Sequence, residues 1–286
     1  MARYALIFAT LLLATTAHAQ RIDRFELTAP EIDNETVAIE VYLPPGYDKS
    51  RRYPVLYIND GQDMPAVHLP TRLKDYYASA SAKPLIVVAV PLFKDRMGVY
   101  GLADRTGKKA QIAPTKYGNV GAKSYAYNEW FTGTLIPTVD QRYSTERTPQ
   151  GRAVLGWSLG AVAAFSLGWQ YDELIGNVGM FSPSLWLSSD ENQREQTRLV
   201  QSRIENDAKL PVSRIYLAVG TQEDTDDRDG DGVNDAVDDV FDATKALQRR
   251  QIPHEAALLV GGKHNQAAWS EMLPRFMRWL TSRDVK

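Results

Sequence analysis

The chain has 286 residues, of which 44% are hydrophobic and 24% charged, a balance typical of a globular protein with a sizeable core. A formal net charge of −2 provides no basic field for nucleic acid or anionic lipid, so neither is expected as a partner. The sequence contains no cysteine, which excludes disulfides, thiolate metal sites and a cysteine nucleophile.

The amino terminus has the features of a secretory signal peptide over residues 1–19. Arg3 supplies a positive charge, a short apolar run follows, and Ala17 and Ala19 are small residues at the positions that precede a cleavage site. The run is shorter than the roughly 18 apolar residues that usually span a membrane, so cleavage is favoured over an anchor. We therefore expect export to the periplasm or beyond, and a mature chain over residues 20–286 without a membrane span.

Apolar runs that suit strands alternate with amphipathic runs that suit helices along the mature chain. Runs such as "YPVLYIND" and "KPLIVVAVPL" are nearly continuous in aliphatic residues, as in strands that are covered on both faces. The segments "YNEWFTGTLIPTVDQRY", "SDENQREQTRLVQSRIENDAK" and "AAWSEMLPRFMRWLTSR" each predict a helix. This alternation predicts one α/β domain, in which helices flank a mostly parallel sheet.

A G-x-S-x-G pattern, "GWSLG", lies between a predicted strand and a predicted helix. In this context the serine sits on a sharp turn, and the flanking glycines avoid clashes between the strand and the helix. Ser158 is therefore the predicted nucleophile. The amide of Leu159, at the start of the helix, is a predicted oxyanion donor.

A serine nucleophile needs a base, and four histidines are available. His18 leaves with the signal peptide, His68 lies too early in the chain, and His254 lies at the entrance of the last predicted strand. His264 follows that strand in a loop, which is the chain order of this class of site. We therefore predict that His264 is the base.

The acid that orients the histidine is expected after the strand "IYLAVG". Glu223 and Asp224 are the first candidates there, and the earlier one is favoured because a short turn at the strand end brings it near the histidine loop. Asp224 remains the alternative, and so does a Ser–His dyad without a strict third residue.

An acidic insert over about residues 224–239 follows, and part of it matches the calcium-loop pattern D-x-D-x-D-G. Gly232 falls where such a loop turns sharply, and hard oxygen ligands without histidine or cysteine suit Ca²⁺ rather than zinc. The run is similar to the calcium loops of dockerins and thrombospondin type 3 repeats. A solvated acidic loop is the alternative. The predicted ligands are Asp227, Asp229, Asp231, the Val233 carbonyl, Asp235 and Asp238.

Taken together, "VYLPPGYDKSRRYPVLYINDGQD", "GWSLGA", "FSPSLW" and "GGKHNQAAW" resemble the Putative esterase family of α/β-hydrolases. That family groups enterochelin esterases, S-formylglutathione hydrolase, mycolyltransferases, and feruloyl and acetyl xylan esterases. The resemblance implies the α/β-hydrolase fold, a second oxyanion amide from Gly61 or Gln62, and Glu223 at the position of the acid. It also implies a substrate pocket walled by aromatic side chains, for which the candidates are Trp157 and Trp186.

The leading hypothesis is an exported serine esterase that cleaves a carboxylic ester of a small molecule or glycan through an acyl-enzyme. The ester would be of the siderophore, feruloyl or acetylated-sugar type. An acyltransferase that uses the same site and a non-catalytic, calcium-dependent binding module are the alternatives. No organic cofactor is expected, the predicted calcium would be structural, and the sequence carries no signal for the oligomeric state.

Overall fold

Strands of one central sheet make up most of the β-structure in the computed structural model, which describes residues 20–211, 213–224 and 226–282. The predicted signal peptide lies outside these residues. The strands are β1 (Ile22–Ala29), β2 (Glu35–Tyr42), β3 (Val55–Ile58), β4 (Ile86–Ala89), β5 (Leu102–Asp104), β6 (Lys109–Gln111), β7 (Ala113–Thr115), β8 (Gly118–Val120), β9 (Arg152–Trp157), β10 (Asn177–Phe181), β11 (Arg214–Gly220) and β12 (His254–Leu259).

The central sheet has the strand order β1-β2-β4-β3-β9-β10-β11-β12. Strands β1 and β2 form antiparallel pairs at one edge, whereas every pair from β4 to β12 is parallel. Two small hairpins, β5–β6 and β7–β8, lie outside this sheet. The prediction of an α/β-hydrolase fold with a mostly parallel sheet is confirmed.

Helices cover both faces of the sheet. They are α1 (Leu69–Tyr77), α2 (Arg96–Val99), α3 (Ser124–Trp130), α4 (Ile136–Arg142), α5 (Leu159–Gln170), α6 (Arg194–Thr197), α7 (Leu199–Asn206), α8 (Asp235–Arg249) and α9 (Gln266–Thr281). Neighbouring residues of a strand point to opposite faces, so Val154 packs into the core beneath α5, while Leu155 packs into the core beneath α1 and α9. Burial on both faces explains why β3, β4 and β9 are nearly continuous apolar runs.

Two of the predicted helices are interrupted. The segment "YNEWFTGTLIPTVDQRY" contains a π-helical turn over Phe131–Leu135, which precedes Pro137 at the start of α4; proline has no amide proton to donate to the preceding turn. The segment "SDENQREQTRLVQSRIENDAK" breaks at Arg198, whose backbone is extended and whose side chain turns inward to Asp239. The prediction of one continuous helix there is therefore wrong, since the helix is interrupted at the residue whose side chain pairs with the buried Asp239.

The parallel strands all end at one edge of the sheet, and the loops that follow them meet there. Loops after β3, β9, β10, β11 and β12 carry the "NDGQD" segment, Ser158, Ser182, Glu223 and His264, respectively. Within the described residues, no helix combines the length and apolar character that a membrane crossing requires.

The core beneath α9 provides a test of the packing. Phe276 is fully buried, with its ring at right angles to Phe181 at a centroid distance of 5.7 Å. We expect Phe276→Ala to lower the free energy of unfolding by about 3–5 kcal/mol, because the truncation leaves a cavity in a close-packed core. Phe241, on α8, is 45% exposed and serves as the matched control, for which Phe241→Ala should cost no more than about 0.5 kcal/mol. Urea denaturation of the two variants measures both values, and equal losses would contradict this assignment of the core.

Candidate active site

Ser158 occupies a strained turn between β9 and α5. Its backbone angles are φ 55° and ψ −125°, a conformation that residues with a side chain rarely adopt. A side chain at Gly156 would lie 2.0 Å from the carbonyl oxygen of Gly160, so only glycine fits the approach of α5 to β9. The glycine of the sequence pattern is therefore required for steric reasons. The turn exposes the Ser158 hydroxyl at the carboxyl edge of the sheet.

His264 and Glu223 are joined by a hydrogen bond between His264 Nδ1 and Glu223 Oε2 at 2.7 Å. The Glu223 side chain is 1% exposed, while that of His264 is 41% exposed. The other carboxylate oxygen of Glu223 accepts hydrogen bonds from the Gly220 amide at 2.7 Å and from the Ser182 hydroxyl. The carboxylate is thus held on both oxygens, and the histidine ring is oriented with Nε2 on the side away from Glu223.

Asp224, the alternative acid, lies in a different environment. Among the described residues no hydrogen bond or ion pair joins its side chain to His264, although both residues line the same groove. Burial, together with the charges of Asp226, Asp235 and Glu223, raises the pKa of Asp224. Of the two candidates, the structure brings only Glu223 to the histidine.

A layer of aromatic and polar side chains supports this pair from behind. The indole nitrogen of Trp269 donates to Ser182 Oγ at 2.9 Å, and its ring meets the His264 ring edge-on at 5.4 Å. Trp157 stacks on Trp269 with a centroid distance of 5.2 Å and donates to Asp63 Oδ2 at 3.0 Å. Trp157 is 1% exposed, so the prediction that it walls the pocket is wrong: it lies beneath the site and supports it.

Ser182, Trp269 and Asp63 were not predicted as site residues. Ser182 and Trp269 lie within the quoted segments "FSPSLW" and "GGKHNQAAW", and Asp63 ends "NDGQD". The segments thus carried a signal, but no spacing rule indicates that their side chains meet.

Two amides are candidates for stabilising an oxyanion. Leu159 begins α5, so its amide has no acceptor within the helix. The Gly61 amide donates to the carbonyl of Val90 at 2.8 Å and is not available, so the Gly61 alternative is wrong and Gln62 remains as the second candidate. The Gln62 side chain is held by the Leu92 amide at 3.0 Å.

A buried ion pair anchors the loop that carries Gln62. Asp60 is 1% exposed and has a left-handed backbone, with φ 56°. Its two carboxylate oxygens accept from Arg96 Nε at 2.9 Å and Arg96 Nη2 at 2.8 Å, and its amide donates to the Tyr100 hydroxyl at 3.0 Å. A bidentate contact of this kind fixes the orientation of the loop as well as its position.

Ser158 and His264 line one cavity of about 280 Å³. In the described structure the Ser158 hydroxyl is hydrogen bonded to Ser184 Oγ at 3.3 Å and not to His264, and such contacts are often loose before a substrate binds. Trp186, which is 36% exposed, and Tyr117, which is 71% exposed, present aromatic rings to the cavity. Both rings also line the adjoining groove of about 330 Å³ that contains His264 and Asp224.

The acidic insert gathers part of the predicted calcium-ligand set. Oxygens of Asp227, Asp229 and Asp231 lie within 4.8 Å of one another. Gly232 has φ 88° at the predicted sharp turn, and its amide donates to Asp227 at 3.0 Å. Three hard oxygen donors in one loop suit Ca²⁺.

The other predicted ligands do not join this group. Asp235 begins α8 and accepts from the Arg228 amide at 2.8 Å, and Val233 is half-exposed. Asp238 has one buried carboxylate oxygen without a hydrogen-bond partner among the described residues, and burial and the charges of Asp231 and Asp229 raise its pKa. Asp238 is therefore subject to the negative charge of the cluster, although it is not one of the three residues that form it.

Comparison with known proteins shows the family to which the chain belongs. The family model described as Putative esterase matches residues 31–280. The chain is 26% identical over 200 residues to the uncharacterized protein YjcH of Bacillus subtilis, a match that covers 70% of this chain and 72% of that one.

Solved structures share the fold at low sequence identity. A ferulic acid esterase superposes with a TM-score of 0.67 at 18% identity, covering 92% of this chain and 97% of that one. The enterobactin esterase of Shigella flexneri superposes with a TM-score of 0.70 at 15% identity, covering 93% of this chain and 60% of that one. The family match extends over most of the chain and includes every candidate site residue, and the protein therefore belongs to the Putative esterase family.

Proposed function

We propose that the protein is an exported serine esterase that cleaves a carboxylic ester through an acyl-enzyme on Ser158. The observation that carries this proposal is the Glu223–His264 hydrogen bond beside the strained turn at Ser158, with His264 and Ser158 lining one cavity. Export rests on the sequence of residues 1–19 alone.

The proposed first step forms the acyl-enzyme. Ser158 Oγ attacks the acyl carbon while His264 Nε2 takes the hydroxyl proton, and the amides of Leu159 and Gln62 stabilise the oxyanion. The tetrahedral intermediate then expels the alcohol, which receives the proton from His264. Glu223 keeps the ring in the required tautomer and stabilises the imidazolium while the proton resides there.

In the second half of the reaction, water takes the place of the alcohol. His264 removes a proton from the water, the hydroxide attacks the acyl carbon, and Ser158 leaves with the proton from His264. The network behind the histidine supports both halves of the reaction. Ser182 and the Gly220 amide donate to Glu223 Oε1, so that Glu223 Oε2 is hydrogen bonded to His264 alone.

The proposed substrate carries an aromatic acyl group. Trp186 and Tyr117 line the cavity beside Ser158 with exposed aromatic side chains, against which a planar group can pack. Structural relatives include a ferulic acid esterase and an enterobactin esterase, the latter also solved in the presence of 2,3-Di-hydroxy-N-benzoyl-glycine, which carries an aromatic ring. We therefore favour a feruloyl or catecholate ester over an acetylated sugar.

Ser158 and Ser184 provide a sharp test of the nucleophile, because their hydroxyl oxygens are only 3.3 Å apart. Ser158→Ala should lower kcat on methyl ferulate at least about 10⁴-fold, since no other group replaces the nucleophile. A fluorophosphonate probe should label the wild type and Ser184→Ala, but not Ser158→Ala. Labelling of Ser158→Ala with loss of label in Ser184→Ala would transfer the role to Ser184.

Glu223 and Asp224 provide a second test. Glu223→Gln should lower kcat by about 10²- to 10⁴-fold, because the amide cannot hold the imidazolium and favours the wrong tautomer. Asp224→Asn is the matched control and should leave kcat near the wild-type value, since His264 is hydrogen bonded to Glu223 and not to Asp224. The kcat values of the two variants on methyl ferulate decide between the candidates, and the opposite pattern would make Asp224 the acid.

We also propose that the loop of Asp227, Asp229 and Asp231 binds a structural Ca²⁺. Bound calcium would neutralise the clustered carboxylates and stabilise the start of α8. Chelation should lower Tm, because an ion that binds only the native state stabilises it by about 2.7 kcal/mol when its free concentration is 100 times Kd.

Asp229→Asn together with Asp231→Asn should remove the calcium dependence of Tm, whereas Asp75→Asn, an exposed change on α1, should keep it. We further expect calcium removal to lower esterase activity, since the loop closely follows Glu223. If chelator leaves the melting curve unchanged, and the purified wild type is shown to contain no calcium, the loop does not bind a structural Ca²⁺.

A further inference from the structure

Ser182, the residue directly after β10, has a backbone conformation that a side chain disfavours. Its φ is 43°, in the left-handed region where glycine is the usual residue. Strain of this kind persists only where the surrounding structure holds the residue in place, and it is common at functional positions. Ser182 is 2% exposed, so its hydroxyl is directed at buried groups and not at solvent.

The segment that contains Ser182 is bonded to the turn of the nucleophile at two points. The Ser158 amide donates to the Phe181 carbonyl at 3.1 Å, and the Ser184 amide donates to the Ser158 carbonyl at 3.3 Å. Between these two contacts, the Ser182 amide donates to the Ala218 carbonyl of β11 at 2.7 Å. One short segment thus contacts both the turn of the nucleophile and the strand that leads to the candidate acid.

The hydrogen bonds of the Ser182 hydroxyl have only one possible direction. The indole nitrogen of Trp269 can donate but not accept, so Ser182 Oγ accepts from it at 2.9 Å. The single hydrogen of the hydroxyl is then left for its other neighbour, Glu223 Oε1. Glu223 Oε1 is therefore an acceptor here, as it is towards the Gly220 amide at 2.7 Å.

This direction determines which form of the carboxyl group fits the site. A proton on Glu223 Oε1 would meet two donors, so the ionised form is the one that the surroundings accommodate. The Glu223 side chain is 1% exposed, and a buried charge is stable only where donors replace the lost water. Because an ionised carboxylate can only accept, His264 Nδ1 is the donor in its 2.7 Å bond with Glu223 Oε2. His264 Nε2 is then left as the acceptor that a base requires.

We propose that Ser182 is a positioning residue of the esterase reaction, which acts on His264 through Glu223. Its hydroxyl holds Glu223 Oε1, so that Oε2 fixes the histidine in the tautomer that can take the proton of Ser158. The strained backbone directs this hydroxyl to Glu223 while the same segment holds the turn of Ser158. This role rests on the proposed esterase function.

Steady-state kinetics on methyl ferulate test the role of the hydroxyl. Ser182→Ala should leave KM near the wild-type value and lower kcat about 10- to 100-fold, as expected for the loss of one hydrogen bond to a charged group. Ser182→Gly should lower kcat by a similar factor but melt at a higher temperature than Ser182→Ala, because glycine suits a φ of 43°. Similar losses of kcat at different Tm separate the hydroxyl from stability, and Ser182→Gly keeps the test decisive if Ser182→Ala does not fold.

Ser270→Ala is the matched control. Ser270 is 1% exposed and follows Trp269 on α9. Its hydroxyl accepts from Arg72 Nε at 2.8 Å and donates to the Val67 carbonyl at 2.7 Å, so it has the same pattern of one bond accepted and one donated. Both partners lie outside the Glu223–His264 network, and kcat of Ser270→Ala should therefore stay near the wild-type value.

A double-mutant cycle tests whether Ser182 acts through Glu223. In the background of Glu223→Gln, Ser182→Ala should lower kcat little further, because the carboxylate that it positions is already gone.

The ring of His264 provides a readout that needs no turnover. In protein that contains isotope-labelled histidine, the nitrogen chemical shifts report the tautomer of the neutral ring, and His264→Asn assigns the signals. The hydrogen should reside on Nδ1 in the wild type and in Ser270→Ala, whereas Ser182→Ala should show a larger share of the Nε2–H tautomer.

The proposal is wrong if both Ser182 variants retain the wild-type kcat, if Ser270→Ala loses as much activity as Ser182→Ala, or if the effects in the cycle are additive. A wild type that neither cleaves methyl ferulate nor reacts with a fluorophosphonate probe would instead contradict the proposed esterase function. In that case the tautomer decides the role of Ser182 alone, and an unchanged tautomer in Ser182→Ala would overturn it.

Discussion

The close approach of α5 to the end of β9 is the constraint on which the site depends. A side chain at Gly156 would strike the Gly160 carbonyl, and one at Gly160 would lie 2.7 Å from the Asp60 carboxylate. The contact therefore fixes two things at once. It forces Ser158 into its strained conformation, and it places the loop of Asp60 beside the amino end of α5.

From this contact, a chain of hydrogen bonds extends around the site. Asn59 donates to the Gly160 carbonyl at 2.8 Å, which ties the loop after β3 to α5. Asp63 in the same loop accepts from Trp157, which stacks on Trp269, which in turn donates to Ser182. The candidate nucleophile, base and acid come from three different loops, and the segments around them are linked through Asp63, the two tryptophans and Ser182. Such mutual support holds a reactive geometry without relying on the stiffness of any one loop.

The sequence predicted the features that depend on residues close together in the chain. The alternation of apolar and amphipathic runs predicted the parallel sheet, and the glycine pattern placed Ser158 between strand and helix. What it missed depends on contacts between distant segments. Nothing near Arg198 in the sequence indicates that its side chain pairs with Asp239, and nothing near Gly61 indicates that its amide is bound to the Val90 carbonyl. The family resemblance suggested Trp157 as a wall of the pocket, but alternate residues of a strand face opposite sides, and the Trp157 side chain is buried in the same core cluster as Trp269.

The stacked pair of Trp157 and Trp269 has an optical consequence. Two indole rings inclined by only 14°, with centroids 5.2 Å apart, are close enough for their electronic transitions to couple. Coupled transitions in a rigid chiral setting produce a paired positive and negative band in circular dichroism. One ring neighbours Ser158 in the chain and the other meets His264, so the pair is an intrinsic chromophore whose signal depends on how the two loops are aligned.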